Sequence, residues 1–183
     1  MRDLIEIKEI EHIDRLENEY DLQKASLLER KLRLMIKDDP TLKPFRQKLR
    51  KLIKAYENSN WSDLQSISDE QIVESDKAEK IINFEQQFIN KRKETIRKKL
   101  KDFDMNQQDL GILLGHPKSY MSELMNGISQ FTMKDLVIIH RIFGISLKTL
   151  IPIYLQDETS IKIKESIRKL NKPKLKLKKI EWA

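Results

Sequence analysis

All four glycines of the chain lie between positions 111 and 144, at Gly111, Gly115, Gly127 and Gly144. With five prolines they make nine strong helix breakers in 183 residues. So few breakers favour helices and argue against a sandwich or barrel, whose many turns need such residues at short intervals. The expected fold class is all-α, and an apolar fraction of 39% suffices for a packed core. The length allows one substantial domain or two small ones.

The N-terminal part reads as helices. Residues 4–37 are predicted as one long helix with room for a single break, because Ile10, Ile13, Leu16, Tyr20, Leu27, Leu28, Leu32 and Met35 return to one stripe. Asp38, Asp39 and Pro40 end it, since proline disfavours a helical conformation in the residue before it. Thr41 is the expected cap of a second helix with Leu42, Phe45, Leu49, Leu52, Ile53 and Tyr56 on one face. The polar run 57–70 is expected to be a loop, and a third helical segment starts near Ser75. Its pattern is interrupted at Asn90, Lys91, Arg92 and Lys93 and resumes at Ile96. Either one helix runs through, or a break near Asn90 divides two domains. The charge balance changes at the same point, which favours the division.

That balance is uneven. Residues 1–90 hold 16 Lys+Arg against 19 Asp+Glu, residues 91–155 hold 11 against 6, and residues 156–183 hold 9 against 4. The second half would attract a polyanion. The expected organisation is thus a helical N-terminal region over 1–90, a five-helix domain over 91–155 and a basic tail over 156–183.

The glycines concentrate in one stretch, MNQQDLGILLGHPKSYMSELMNG at 105–127. Asn106 caps a helix that Gly115 closes, with Leu110 and Leu114 facing inward. Gly111, in the middle of that helix, costs about 1 kcal/mol relative to alanine, which points to close approach of a neighbouring helix. Pro117 suits the first position of a second helix, which Asn126 and Gly127 stop. Met121 and Leu124 anchor this helix and leave Lys118, Ser119, Tyr120, Ser122 and Glu123 mostly outside. Two short helices joined by a tight glycine turn make a helix-turn-helix. Thr132 with Asp135 caps the following helix, Gly144 ends it, and Ser146 caps a fifth that Pro152 shortens or bends.

Gln107, Leu110, Gly111, Gly115, Met121, Ser122, Leu124, Asn126 and Gly127 resemble the helix-turn-helix of lambda-repressor-like regulators, the Cro-type or XRE family. That pattern runs Q-x-x-L-A-x-x-x-G, then an apolar–Ser pair, then a polar residue before glycine, and it aligns here without a gap. Gly111 departs from the usual alanine, His116 from an aliphatic residue, and Pro117 from the usual cap. The resemblance covers about 65 of the 183 residues. It implies a DNA-binding domain whose second helix enters the major groove by its N-terminal end.

The candidate DNA-binding residues are Gln107, Lys118, Ser119, Tyr120, Ser122 and Asn126. Lys118 can donate to guanine O6 and N7, and Ser119 can serve a base or a phosphate. Ser122 lies one turn on, and Tyr120 can touch a thymine methyl or a phosphate. Gln107 suits backbone contact or support of a reader, and Asn126 with the N–H groups near Gly127 suits a phosphate. Glu123 could accept from cytosine N4. No nucleophile–base signature or phosphate loop appears, so no enzyme activity and no cofactor are expected. His12, His116 and His140 are far apart and cysteine is absent, so no metal site is expected. The same lack of cysteine is compatible with a reducing cytoplasm, the expected location. No run of eighteen apolar residues exists to span a membrane.

A reader of this type usually works as a dimer on a palindromic site, with half-sites one helical turn apart. A helical segment ahead of such a domain also resembles the HigA-type antitoxins, which bind a small RNA-cleaving toxin and repress their own operon. The chain is longer than usual for that group. The alternative is a stand-alone homodimeric regulator. The tail segment KLKLKKI alternates with period two, as a pairing strand would, and its charge equally suits a phosphate-binding arm or a disordered basic tail.

Overall fold

The structure, a computed structural model, describes residues 10–63, 65, 67–152, 157–172 and 174–177. Among these the protein is all-helical and has no strand. The helices are α1 (Glu19–Met35), α2 (Lys43–Asn60), α3 (Asp69–Asp102), α4 (Gln107–Leu114), α5 (Lys118–Asn126), α6 (Met133–Phe143), α7 (Leu147–Leu150) and α8 (Asp157–Leu170). A short 3-10 turn, Pro40–Leu42, joins α1 to α2. No helix is long and apolar enough to cross a membrane among the described residues.

The segment expected as one helix with room for a single break is interrupted between Ile10, which is helical, and Glu19. Asn18 caps α1 by accepting from the Asp21 N–H, and most of the described residues before it are not helical. Ile10, Ile13 and Leu16 are buried all the same, in a segment that covers the helix pair. Thr41 is not the cap of α2: the Asp39 side chain accepts its N–H and holds the 3-10 turn that leads into the helix. Pro44 lies in the first turn of α2, where its missing N–H does little harm.

The interruption at Asn90 does not break the chain's longest helix. α3 begins six residues before the expected start near Ser75, with Ser68 as its cap, and runs through Asn90 to Asp102. At about 1.5 Å per residue it is roughly 50 Å long. Its first half packs on α1 and its second half carries Ile96 and Leu100 into the other core. Positions 90–93 read as an interruption because the one inward residue there is charged. Arg92 is nearly buried, lies over the rings of Phe88 and Phe131, and donates to the carbonyl oxygen of Leu150 at 3.3 Å.

Two apolar clusters result. One gathers Leu22, Ala25, Leu28 and Leu32 of α1 with Leu49 and Leu52 of α2. Its polar member is Glu19, 2% exposed, whose Oε1 accepts from the Tyr56 hydroxyl and the Trp61 indole. The other cluster gathers Ile96, Leu110, Leu114, Met121, Leu124, Ile139 and Phe143. Ile128, just after α5, packs into the first cluster instead of the second. A buried ion pair, Lys24 to Glu85 at 3.3 Å, further binds α1 to α3. Losing one partner of such a pair costs on the order of 3–5 kcal/mol.

The tail contains a helix. Residues Asp157–Leu170 form α8, and the described part of KLKLKKI, Lys174 to Leu177, is not a strand. The rest of that segment, and Trp182, lie outside the described residues.

Candidate nucleic-acid interface

The helix-turn-helix geometry follows from local chemistry. Asn106 accepts from the N–H groups of Gln108 and Asp109, and the Asp109 carboxylate returns to the Asn106 N–H at 2.7 Å. This reciprocal box satisfies donors that a helix start leaves unpaired. Gly115 closes α4 and Gly127 closes α5, both in the left-handed region that glycine enters without steric cost. Pro117 is the residue before α5 and keeps an extended backbone, one position earlier than expected. A Cβ on Gly111 would lie 2.8 Å from the His116 carbonyl oxygen and 3.0 Å from Met121 Cγ. The missing side chain therefore lets the turn and α5 close on α4.

Leu110, Met121 and Leu124 are fully buried between these helices. Each contributes roughly 1.5–3 kcal/mol by burial, which holds two helices too short to persist alone. His116, in the turn, brings Nε2 within 3.1 Å of Asp135 Oδ1 and so joins the turn to α6, whose own capping box links Thr132 and Asp135. His140 Nδ1 lies 2.7 Å from the carbonyl oxygen of Ile145. Both histidines thus serve the packing of the helices. No group of His, Asp and Glu is arranged to hold a metal ion among the described residues.

Four of the six sequence-predicted residues come together. Gln107 at the start of α4 and Lys118, Ser119 and Ser122 on α5 line one cleft of about 530 Å3. Lys118 and Ser119 are exposed, and Gln107 and Ser122 are half-buried. The rest of its lining comes from a part of the chain far away in sequence: Met35 at the end of α1, with Asp38 and Asp39 in the turn after it. Sequence reasoning missed this part, since nothing local links positions 35–39 to 118–122.

The other two are not part of this lining. Tyr120 packs partly against the second core, its ring edge-on to His116 with centroids 5.0 Å apart. Asn126 is committed to the fold. Its Oδ1 accepts from Lys93 Nζ at 2.6 Å, its backbone oxygen accepts from Lys31 Nζ at 2.8 Å, and its Nδ2 donates to the Ser122 carbonyl oxygen at 2.8 Å. Glu123 is likewise held, accepting from the Ser129 hydroxyl at 2.7 Å. Burial lowers the Lys31 ammonium to about 8, with the nearby ammonium groups of Lys24 and Lys93 adding to the effect, and burial also lowers that of Lys93.

The chain matches no family model, no curated protein and no solved structure.

Proposed function

We propose that the protein is a sequence-specific reader of double-stranded DNA and acts as a transcriptional regulator, with α5 as the helix that enters the major groove. The observation that carries this reading is the pairing of α4 and α5. Two capped short helices meet over Gly111, and the N-terminal end of the second presents Lys118 and Ser119 to solvent beside Gln107. That end is the part of a groove-entering helix that meets base edges. A lysine there can donate to guanine, and a serine can serve either base or phosphate.

The proposed working form is a homodimer on a palindromic operator. Autorepression as an antitoxin, in complex with a small RNA-cleaving protein, is its more specific version, supported by the order of a helical N-terminal part and a helix-turn-helix. Asp38 and Asp39 border the reading residues. Their carboxylates oppose phosphates that approach the N-terminal end of α5.

Selection of duplexes from a randomised pool by the full chain tests the reading. Enrichment of a two-fold symmetric motif is expected, and recovery of unenriched sequence would count against it. Mild native purification separates the two versions, through the presence or absence of a stoichiometric small partner.

A further inference from the structure

The net charge of residues 1–90 conceals a basic surface. α2 alone carries six cations, Lys43, Arg46, Lys48, Arg50, Lys51 and Lys54, against one acid, Glu57. The acids that cancel them in the sum lie largely in other segments, eight between 3 and 21 and seven between 63 and 85. Folding then sets α1 beside α2 and opens a groove of about 820 Å3 between them. Arg30 and Arg33 of α1 and Arg46, Arg50, Lys51 and Lys54 of α2 line it, with only Glu29 and Glu57 in opposition.

Glu29 is already engaged, accepting from Arg46 Nε at 2.8 Å. Among the described residues, Arg30, Arg33, Arg50, Lys51 and Lys54 form no ion pair, and all five are exposed. Arg46, Arg50 and Lys54 follow one another at four-residue steps along one side of α2. At 1.5 Å per residue that row is about 12 Å long, a span that covers about three to four phosphates of one strand at 3.4 Å each.

We propose that this α1–α2 groove is a second DNA-binding surface, which holds the phosphate backbone of double-stranded DNA without regard to sequence. It goes beyond the role proposed for α5 and does not depend on it. Guanidinium forks grip phosphate oxygens in pairs, and three of the five unpaired cations are arginines. The lining favours this occupant over others. Ile53 is the one apolar side chain in it. A membrane-binding face would present an apolar stripe to insert between lipids, and a protein interface would present large apolar anchors at its centre.

The test compares three forms of the full chain: the wild type, the triple variant Arg50→Gln, Lys51→Gln, Lys54→Gln, and the recognition-helix variant Lys118→Ala, Ser119→Ala. Binding to a 20-base-pair duplex of random sequence is measured across salt concentrations, with thermal melts to verify folding. The triple variant should lose at least about ten-fold in affinity at low salt. Its slope of log affinity against log salt should become shallower by about 2–3, since each phosphate contact contributes about 0.9. The recognition-helix variant should keep most of this binding. A triple variant that matches the wild type in affinity and slope overturns the proposal, as does a wild type that ignores random duplex. Preference for single-stranded RNA or for vesicles with 30% phosphatidylserine, lost in the triple variant, also overturns it. Should the triple variant melt early, Arg30→Gln with Arg33→Gln on α1 repeats the test. Operator selection reads the role of α5 separately, so either idea can fail alone.

Discussion

Lys93 Nζ, on the long helix, donates to Asn126 Oδ1 at 2.6 Å, at the last residue of the proposed recognition helix. With Lys31 on the Asn126 backbone oxygen, this contact fixes the end of α5 against α1 and α3 at once. Asn126→Ala removes the acceptor and leaves a partly buried ammonium without it, at a cost of about 1–3 kcal/mol. The melting temperature should therefore fall, while DNA affinity of the folded protein changes little. An unchanged melting temperature with weakened DNA binding would instead assign Asn126 to phosphate.

Gly111→Ala sets two effects against each other. Alanine gains about 1 kcal/mol of helix propensity, but its Cβ would sit 2.8 Å from the His116 carbonyl oxygen, a backbone atom that cannot rotate away. The contact wins, and the variant should unfold at lower denaturant concentration than the wild type. A more stable variant would mean that the α4–α5 turn relaxes freely.

The charge on Lys31 makes stability depend on pH. Its folded value is about 8, whereas an unfolded lysine holds its proton to about 10.4. Between these values the unfolded chain binds more protons, so stability rises with pH. The penalty for burying the charge is fully present below about pH 8 and is relieved toward pH 10. Relative to Lys31→Met, the wild type should gain on the order of 1–3 kcal/mol between pH 7.5 and 10. Denaturant titrations of both forms at the two pH values give the difference, and a flat difference contradicts the account.

What could be read in advance was what short-range chemistry decides. Asn106, Gly115, Thr132 and Gly144 act on neighbours within a few residues, and each caps the helix expected of it. Ile13 and Leu16 extended the stripe across the break before Asn18 because they are buried in the same core as α1 without being helical. Asn90 looked like a boundary because Arg92 faces inward over two aromatic rings, one of them 39 positions away. The helix α8 was hidden by the charge of a segment read for its basic balance. At the candidate site, the four clustered residues were legible, but two contacts of Asn126 were not. Its partners Lys93 and Lys31 lie 33 and 95 positions away in sequence, beyond the reach of any local pattern.

Asp38 and Asp39 face the reading residues across the cleft. Phosphates that approach Lys118 meet two carboxylates, and like charges at short range repel. The double variant Asp38→Asn, Asp39→Asn should bind DNA several-fold more tightly, with the largest gain at low salt where screening is weakest. Fluorescence anisotropy on labelled duplex measures this. Equal affinity at all salt concentrations would remove the acidic turn from the DNA path.

The most direct measurement takes the duplex enriched by selection and compares the wild type with Lys118→Ala on it and on random duplex. If Lys118 reads a base, the variant should lose about 1–3 kcal/mol on the selected duplex, roughly five- to 150-fold in affinity, and little on the random one. An equal loss on both would make Lys118 a phosphate contact. No loss on either, or no enrichment at all, would contradict the assignment of α5 as a groove-reading helix.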